Sequence, residues 1–592
     1  MIRDETRVAD DVRPDGRDAP DDVIRLRRAT RALRLHLDTL PVDFNLGAIP
    51  DRFLNGLAFV SARNRYGYVE SLIGAGFGGT AMGAISRGLL VDALKWDWIS
   101  SRPQRLKSLP AELLRERDGI CSLLDQTQTT CPILTRWLQP LPAVAGLTGQ
   151  AQGWALLDTL PSDARLLADF LAAREDSISP LTSRWTPLLI RSRNLLASAE
   201  LHGSSMVLAH SGHGNYLGLL SSVAEGGGIG FDLRFDHEAL FMQVAAIGVV
   251  GTLVGSLAAD SNWWPKEVPA HDFADKALDL ASEVSARAVV VHKLVGRPGT
   301  RTPKSRTGAS GSGSAELYVP HAAATLTTGS LLPDVATTEA VWRTAEQFFA
   351  LLENLTVDPW AEGQPFHAVL SYGAAISNLQ TIFATSGQPG AQVVLPFVAR
   401  MMLEEAGRTA WRYSVPDAST FEAQATQYFD EYRARRKRTI DQLTTSGVPR
   451  AAAEQFFDLP SFVNTSRVPK FASPGRVPLP PVSDMLDKLG DMFDEPGWLR
   501  VAYSLLSQIT HTTALGLLHS VRFERGGLRG GELSPEMTAL SLDIACIAGA
   551  RILGTAGLIL RDLDDGARQW RDDLLHRAAV VHGAARLVHG LD

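Results

Sequence analysis

The run GRPGTRTPKSRTGASGSGS at residues 296–314 constrains this chain more than any other feature. Its glycine, serine, proline and like charges cannot bury enough apolar surface to order themselves, so it reads as a linker. It divides the 592 residues into comparable parts, residues 40–292 and 336–592, joined through 293–335, with a charged, disordered acidic tail at 1–22. A chain of this length exceeds one ordinary core, and two large halves suit it. Within both halves the apolar residues recur at the helical period and seldom alternate. The fold class expected is all-α, two diverged tandem copies of a helical-bundle domain forming a pseudo-dimer.

Equality of the halves invites a search for repetition. HGNYLGLLSSV from His213 matches HTTALGLLHSV from His511 at seven of eleven positions without a gap. ALFMQVAAIGVVGTL from Ala239 lies over ALSLDIACIAGARIL from Ala539 with five identities. Earlier in each half, RGLLVDALKWDW from Arg87 faces RMMLEEAGRTAW from Arg400. The three matches are collinear, which single chance matches of Leu, Ala and Gly are not.

The repeat bears on the membrane. Residues 239–258 are nearly charge-free and long enough to cross a bilayer. The matching segment carries Asp543 and Arg551, charges costly in hydrocarbon, so both copies are expected to be buried core helices and no integral membrane insertion is expected. Glycines 248, 251 and 255 are expected to admit close helix packing.

With 58 Lys+Arg against 65 Asp+Glu, the net charge of −7 argues against a dedicated nucleic-acid binder, which usually carries a basic excess. Two local basic stretches stand out, Arg25, Arg27, Arg28, Arg31 and Arg34, and Arg433, Arg435, Arg436, Lys437 and Arg438. The bland account of each is a solvated helix face. Three cysteines without CxxC spacing support neither a disulfide framework nor a zinc knuckle, and a cytoplasmic, reducing location is expected. The glycines from 74 to 83 lack the preceding strand and the following Lys-Ser of a phosphate loop and read as a helix start or kink. No cofactor and no metal are expected: His202 and His210 beside His213 correspond to Arg500 and Gln508, so a duplicated metal site is not supported.

A residue kept in both halves is the better site candidate. Three polar positions pass that filter: His213 with His511, Arg87 with Arg400, and Asp92 with Glu405. These types bind anions or move protons. His511 reads as part of one helix, AYSLLSQITHTTALGLLHSV, with Ser504 and Ser507 at helical spacing before it. Arginine and acid five positions apart lie about 140° around a helix, and Glu404 is better placed than Glu405 to pair with Arg400. The competing account makes all of these residues helix-bridging locks.

The segments VARMMLEEAGRTAWRY and AYSLLSQITHTTALGLL resemble a group of uncharacterised bacterial all-helical domains with an arginine-acid helix and a later Y-x-x-LS-x-x-x-H helix. Arg400, Glu405, Tyr503, Leu506, Ser507 and His511 stand at the matching places. The resemblance covers residues 370–555 and, more faintly, 60–255, where Ser205 and Ala209 replace the tyrosine and serine. More distantly such domains are similar to the HEPN superfamily. That resemblance implies a metal-independent ribonuclease in a toxin or antiviral-defence setting, with RNA as partner. HEPN nucleases carry R-x4-6-H on one helix, a spacing met here by Arg31 to His36 and Arg571 to His576, whereas the repeated arginine and histidine lie apart. The alternatives are a non-enzymatic scaffold or regulatory subunit that binds another protein, and a small-molecule sensor with an anion pocket.

Overall fold

The computed structural model describes residues 19–40, 50–73, 78–102, 105–106, 108–129, 160–162, 165–167, 170, 184–197, 234–294, 335–354, 366–386, 392–413, 433–457, 480–490, 497–519, 521–524, 527–530 and 533–591. The described residues form helices, plus one short antiparallel hairpin of β1 (Val521–Glu524) and β2 (Gly527–Gly530). Residues 1–18 of the acidic tail and the 296–314 run lie outside the described residues, while Asp21 and Asp22, expected in the disordered tail, open α1.

In the N-terminal half the helices are α1 (Asp21–Asp38), α2 (Pro50–Ser71), α3 (Gly79–Ser100), α4 (Ser108–Thr127), α5 (Thr186–Leu196), α6 (Phe235–Ala259) and α7 (Ala270–His292). In the C-terminal half they are α8 (Val335–Phe349), α9 (Phe366–Ser386), α10 (Leu395–Tyr413), α11 (Arg450–Phe456), α12 (Val482–Gly490), α13 (Trp498–Thr510), α14 (Ala514–His519), α15 (Pro535–Leu560) and α16 (Asp565–His589), with residues 433–445 also helical. The arginine-rich segment 25–34 is α1, which packs on α7 and so carries the first helical unit back to Asp21.

The most apolar helix of each half sits at its centre. α6 packs against α2, α3 and α7, and α1 leans on α7; α15 packs against α9, α10 and α16, and α8 leans on α16. Small residues on α6 bring α3 close. A methyl on Gly248 would come within 2.6 Å of the Leu89 backbone, and methyls on Gly251 and Gly255 within 2.7 and 2.8 Å of Ala93 and Trp96. Residues 89, 93 and 96 share one face of α3, so the three glycines seat a single ridge. Two described helices, α6 and α15, are long and apolar enough to cross a membrane; the qualifying stretch is wholly buried inside the fold in α6 and mostly buried in α15.

The halves meet through polar side chains as well as apolar ones. Ser377 accepts from the Gly78 amide at 2.8 Å, Thr80 donates to Asn378 at 2.6 Å, and the Tyr68 and Thr385 hydroxyls lie 2.5 Å apart. Gly78, with φ +87°, starts α3, in accord with a helix start in the glycine run. Phe397 fills the space over Gly88 and lies under the Arg65 guanidinium, 5.7 Å from its ring centre.

Candidate functional site

Period alone sets the first part of the site. Arg400, Glu404 and Arg408 recur every four residues on α10, and Tyr503 and Ser507 do the same on α13, so two ridges of polar groups face each other. Arg400 donates from Nε to Ser507 Oγ and from Nη2 to the Tyr503 hydroxyl, both at 2.9 Å. Tyr503 donates onward to Glu404 Oε1 at 2.9 Å, and Glu404 also pairs with Arg400 at 3.1 Å and Arg408 at 3.0 Å. The seam is closed: the Arg400 and Glu404 side chains are 5% and 1% exposed. Burial, and then the Glu404 charge, raise the Tyr503 hydroxyl above its usual pKa, which keeps it a neutral donor.

Glu405 turns away from this network. It accepts from Ser371 of α9 at 2.9 Å and faces Arg408 and Arg412 at 3.6 and 4.0 Å. Burial pushes its carboxyl upward while Arg412 and Arg408 pull it back. Glu404, one residue earlier, is therefore the acid that completes the arginine-tyrosine-serine constellation, as the i+4 spacing indicates.

The helix expected through His511 is in fact broken there. α13 ends at Thr510, residues 511–513 form a turn with Thr512 at φ +45°, and α14 begins at Ala514. The sequence ITHTT explains the break. Thr510 donates its hydroxyl to the Ser507 carbonyl and Thr513 to the Gln508 carbonyl, so side chains compete with the helical ladder. A β-branched residue in the left-handed region is strained and persists only where its surroundings hold it.

Those surroundings come from the other half. Thr512 donates to Asp92 of α3, which also takes Arg65 of α2, and the Thr512 carbonyl accepts from Lys95 at 3.0 Å. Lys95 lies 3.3 Å from Glu112 of α4, and Glu116 accepts from the Leu515 amide at 3.1 Å. Burial, then its neighbour Glu112, raise Glu116 well above the carboxylate range, while Lys95 opposes them. His511 is half-buried at this junction, one helical turn beyond Ser507, whose carbonyl accepts from the His511 amide at 2.9 Å.

The six repeated residues thus part company. Arg400 joins the closed α10–α13 seam, Glu405 a neighbouring one, and Asp92 the contact between halves. Arg87 is half-buried on α3 and engaged, and His213 lies outside the described residues, as do His202 and His210. The residues that sequence reasoning passed over are Arg65, Lys95, Glu112 and Glu116. No metal-binding group of three His, Cys, Asp or Glu side chains occurs among the described residues.

A further polar seam joins the last two helices of each half. Gln243 donates to Ser285 at 2.9 Å and meets His292 Nε2 at 2.8 Å. In the other half Asp543 meets His582 Nδ1 at 3.0 Å, and His589 Nε2 reaches the Glu536 carbonyl at 3.0 Å. Burial lowers the His582 pKa, but the adjacent Asp543 more than offsets it, so the net shift is upward. Against this geometry, comparison with protein-family models, curated proteins and solved structures gives no match.

Proposed function

We propose that the chain is two diverged copies of one helical unit packed as an intramolecular pseudo-dimer, and that it acts as a non-enzymatic helical interaction protein of the cytoplasm. The duplication is supported by like neighbours and like register. α1, α2, α3, α6 and α7 pack among themselves as α8, α9, α10, α15 and α16 do. Gln243 and Asp543 hold the same place in the aligned segments, and each meets the corresponding position, Ser285 or His582, of the next helix. Both last helices close with Val-His, a left-handed residue and a buried leucine: His292, Lys293 (φ 58°) and Leu294, against His589, Gly590 (φ 65°) and Leu591.

One observation carries the functional part of the reading. The Arg400 guanidinium is occupied by Ser507, Tyr503 and Glu404 in a closed seam, which suits a helix lock and leaves little of it to receive a phosphate. Glu405 and Asp92 are spent in the same way.

A second reading, the HEPN-like metal-independent ribonuclease, draws on His511. It is half-exposed, stands next to Arg400's partners and adjoins a strained threonine, and strain of that kind gathers at functional sites. The assay that separates the two is cleavage of single-stranded RNA without added metal, by the wild type and His511→Ala. The interaction reading expects intact RNA with both proteins and equal unfolding temperatures. Cleavage by the wild type that disappears in His511→Ala at unchanged stability overturns it in favour of the ribonuclease.

A further inference from the structure

The two basic stretches lie some 400 residues apart in the chain, yet an unbroken series of side-chain contacts connects them. Arg27 of α1 pairs with Glu238 of α6 through two bonds of 2.9 and 3.0 Å and lies over the Phe235 ring at 6.0 Å. From the same end of α6, Arg234 donates to the Gln455 carbonyl at 3.2 Å, and His237 stacks on Phe456 at 4.1 Å with its Nε2 3.2 Å from the Phe456 carbonyl. Arg436 of the second stretch donates to the Phe457 carbonyl at 3.0 Å. The stretches spend Arg27 and Arg34 on one side and Arg436 on the other as anchors, while Arg25 and Arg28 on α1, and Lys437 and Arg438 on the 433–445 helix, are exposed.

We infer that this end of the molecule is a binding surface for the phosphodiester backbone of a nucleic acid. Among the described residues the acids there are mostly engaged, Asp236 by Arg234, and Asp441 and Glu454 by Arg450, leaving Asp21 and Asp22 at the start of α1 as the opposing charge. Exposed cations brought together from two distant stretches make a local positive patch that attracts an anion even on a chain of net charge −7. Three of these four exposed cations are arginines, whose planar forks suit phosphate oxygens. A lipid surface fits less well, because the apolar stripe of α1, Val23, Leu26, Leu33 and Leu37, is buried in the fold and, among the large apolar side chains of that helix, Leu35 alone is left exposed to insert. The inference deepens the interaction reading by giving the partner a chemistry.

The test is fluorescence anisotropy of a labelled oligouridylate titrated with the full chain at several salt concentrations. A variant with Arg25→Glu, Arg28→Glu, Lys437→Glu and Arg438→Glu, all solvent-facing, is expected to bind at least about tenfold more weakly, with a shallower dependence of log K on log salt. Each pair of substitutions alone is expected to give part of the loss. A control reversing Arg343 and Arg568, exposed cations of the second half, is expected to bind as the wild type does. No binding at low salt, or binding indifferent to the fourfold variant, overturns the inference; so does charge-dependent binding to phosphatidylserine vesicles in place of RNA. Failure here leaves the interaction reading standing, since that reading is tested separately, by RNA cleavage lost in His511→Ala and by the stability of Arg400→Met.

Discussion

Replacing Arg65 with methionine is expected to cost about 3–5 kcal/mol of folding stability, the range for breaking a buried ion pair from one side. The Arg65 side chain is fully buried and its partner Asp92 is 3% exposed. Arg65 also donates from Nε to the Ser61 carbonyl at 3.2 Å, which fixes it on α2 while Nη2 reaches across to α3. Without it, Asp92 keeps the Thr512 hydroxyl but loses the buried Arg65 guanidinium in a place water does not reach. Asp92→Leu is expected to cost a similar amount by stranding the guanidinium. Because each single change leaves an orphan and the double change removes both charges, Arg65→Met with Asp92→Leu is expected to lose clearly less than the sum. Urea unfolding of the four proteins decides it: losses under about 1 kcal/mol for the single variants contradict a buried lock.

Acidification from pH 7 to pH 5 is expected to weaken the fold through two histidines that it holds neutral. Burial lowers both His237 and His292 to about 4, from an unfolded value near 6.5. His292 shows why the neutral form is kept: its Nδ1 accepts from the Leu294 amide, so Nε2 carries the proton and faces Gln243 Oε1. A second proton on Nδ1 forfeits the first of those bonds. As the unfolded chain takes up protons before the folded one does, this stability is full above pH 6.5 and falls as the pH drops towards 4. At pH 5 the loss is about 2 kcal/mol per histidine. His582, raised by Asp543, acts in the opposite sense, with its contribution present at low pH and lost as pH rises through its raised value. Glu116 and Glu536, raised by burial, likewise favour the acid side. The histidine contribution is isolated by comparing pH profiles: His292→Gln is expected to flatten the decline between pH 6.5 and 5. A profile parallel to the wild type contradicts the assignment.

Period and composition carried the reading of this fold a long way, and distance along the chain marks where they stopped. The charge-free segment of α6 and its partner in α15 were legible as core helices because Asp543 and Arg551 interrupt only one of them, and the three glycines of α6 announced the close approach of α3. The Arg400, Tyr503 and Ser507 constellation was visible as a motif, while its acid was taken one residue late: alignment with Asp92 pointed to Glu405, whereas helical geometry pointed to Glu404. The break at His511 was hidden by apolar spacing that continues through α14, although the threonines around it argue for a turn. Arg65, Lys95 and Glu116 could not be found from sequence at all. Their partners on other elements lie 17 to 417 residues away, and no local pattern encodes how those elements are placed.

The central claim is that the repeated polar residues hold helices together, and Arg400→Met tests it most directly. Urea unfolding of this variant is expected to show a loss of about 2–3 kcal/mol, because Tyr503 and Ser507 lose their charged donor and Glu404 loses one of its two paired arginines. An Arg400→Met protein as stable as the wild type would contradict the account and return Arg400 to the part of an anion-binding residue.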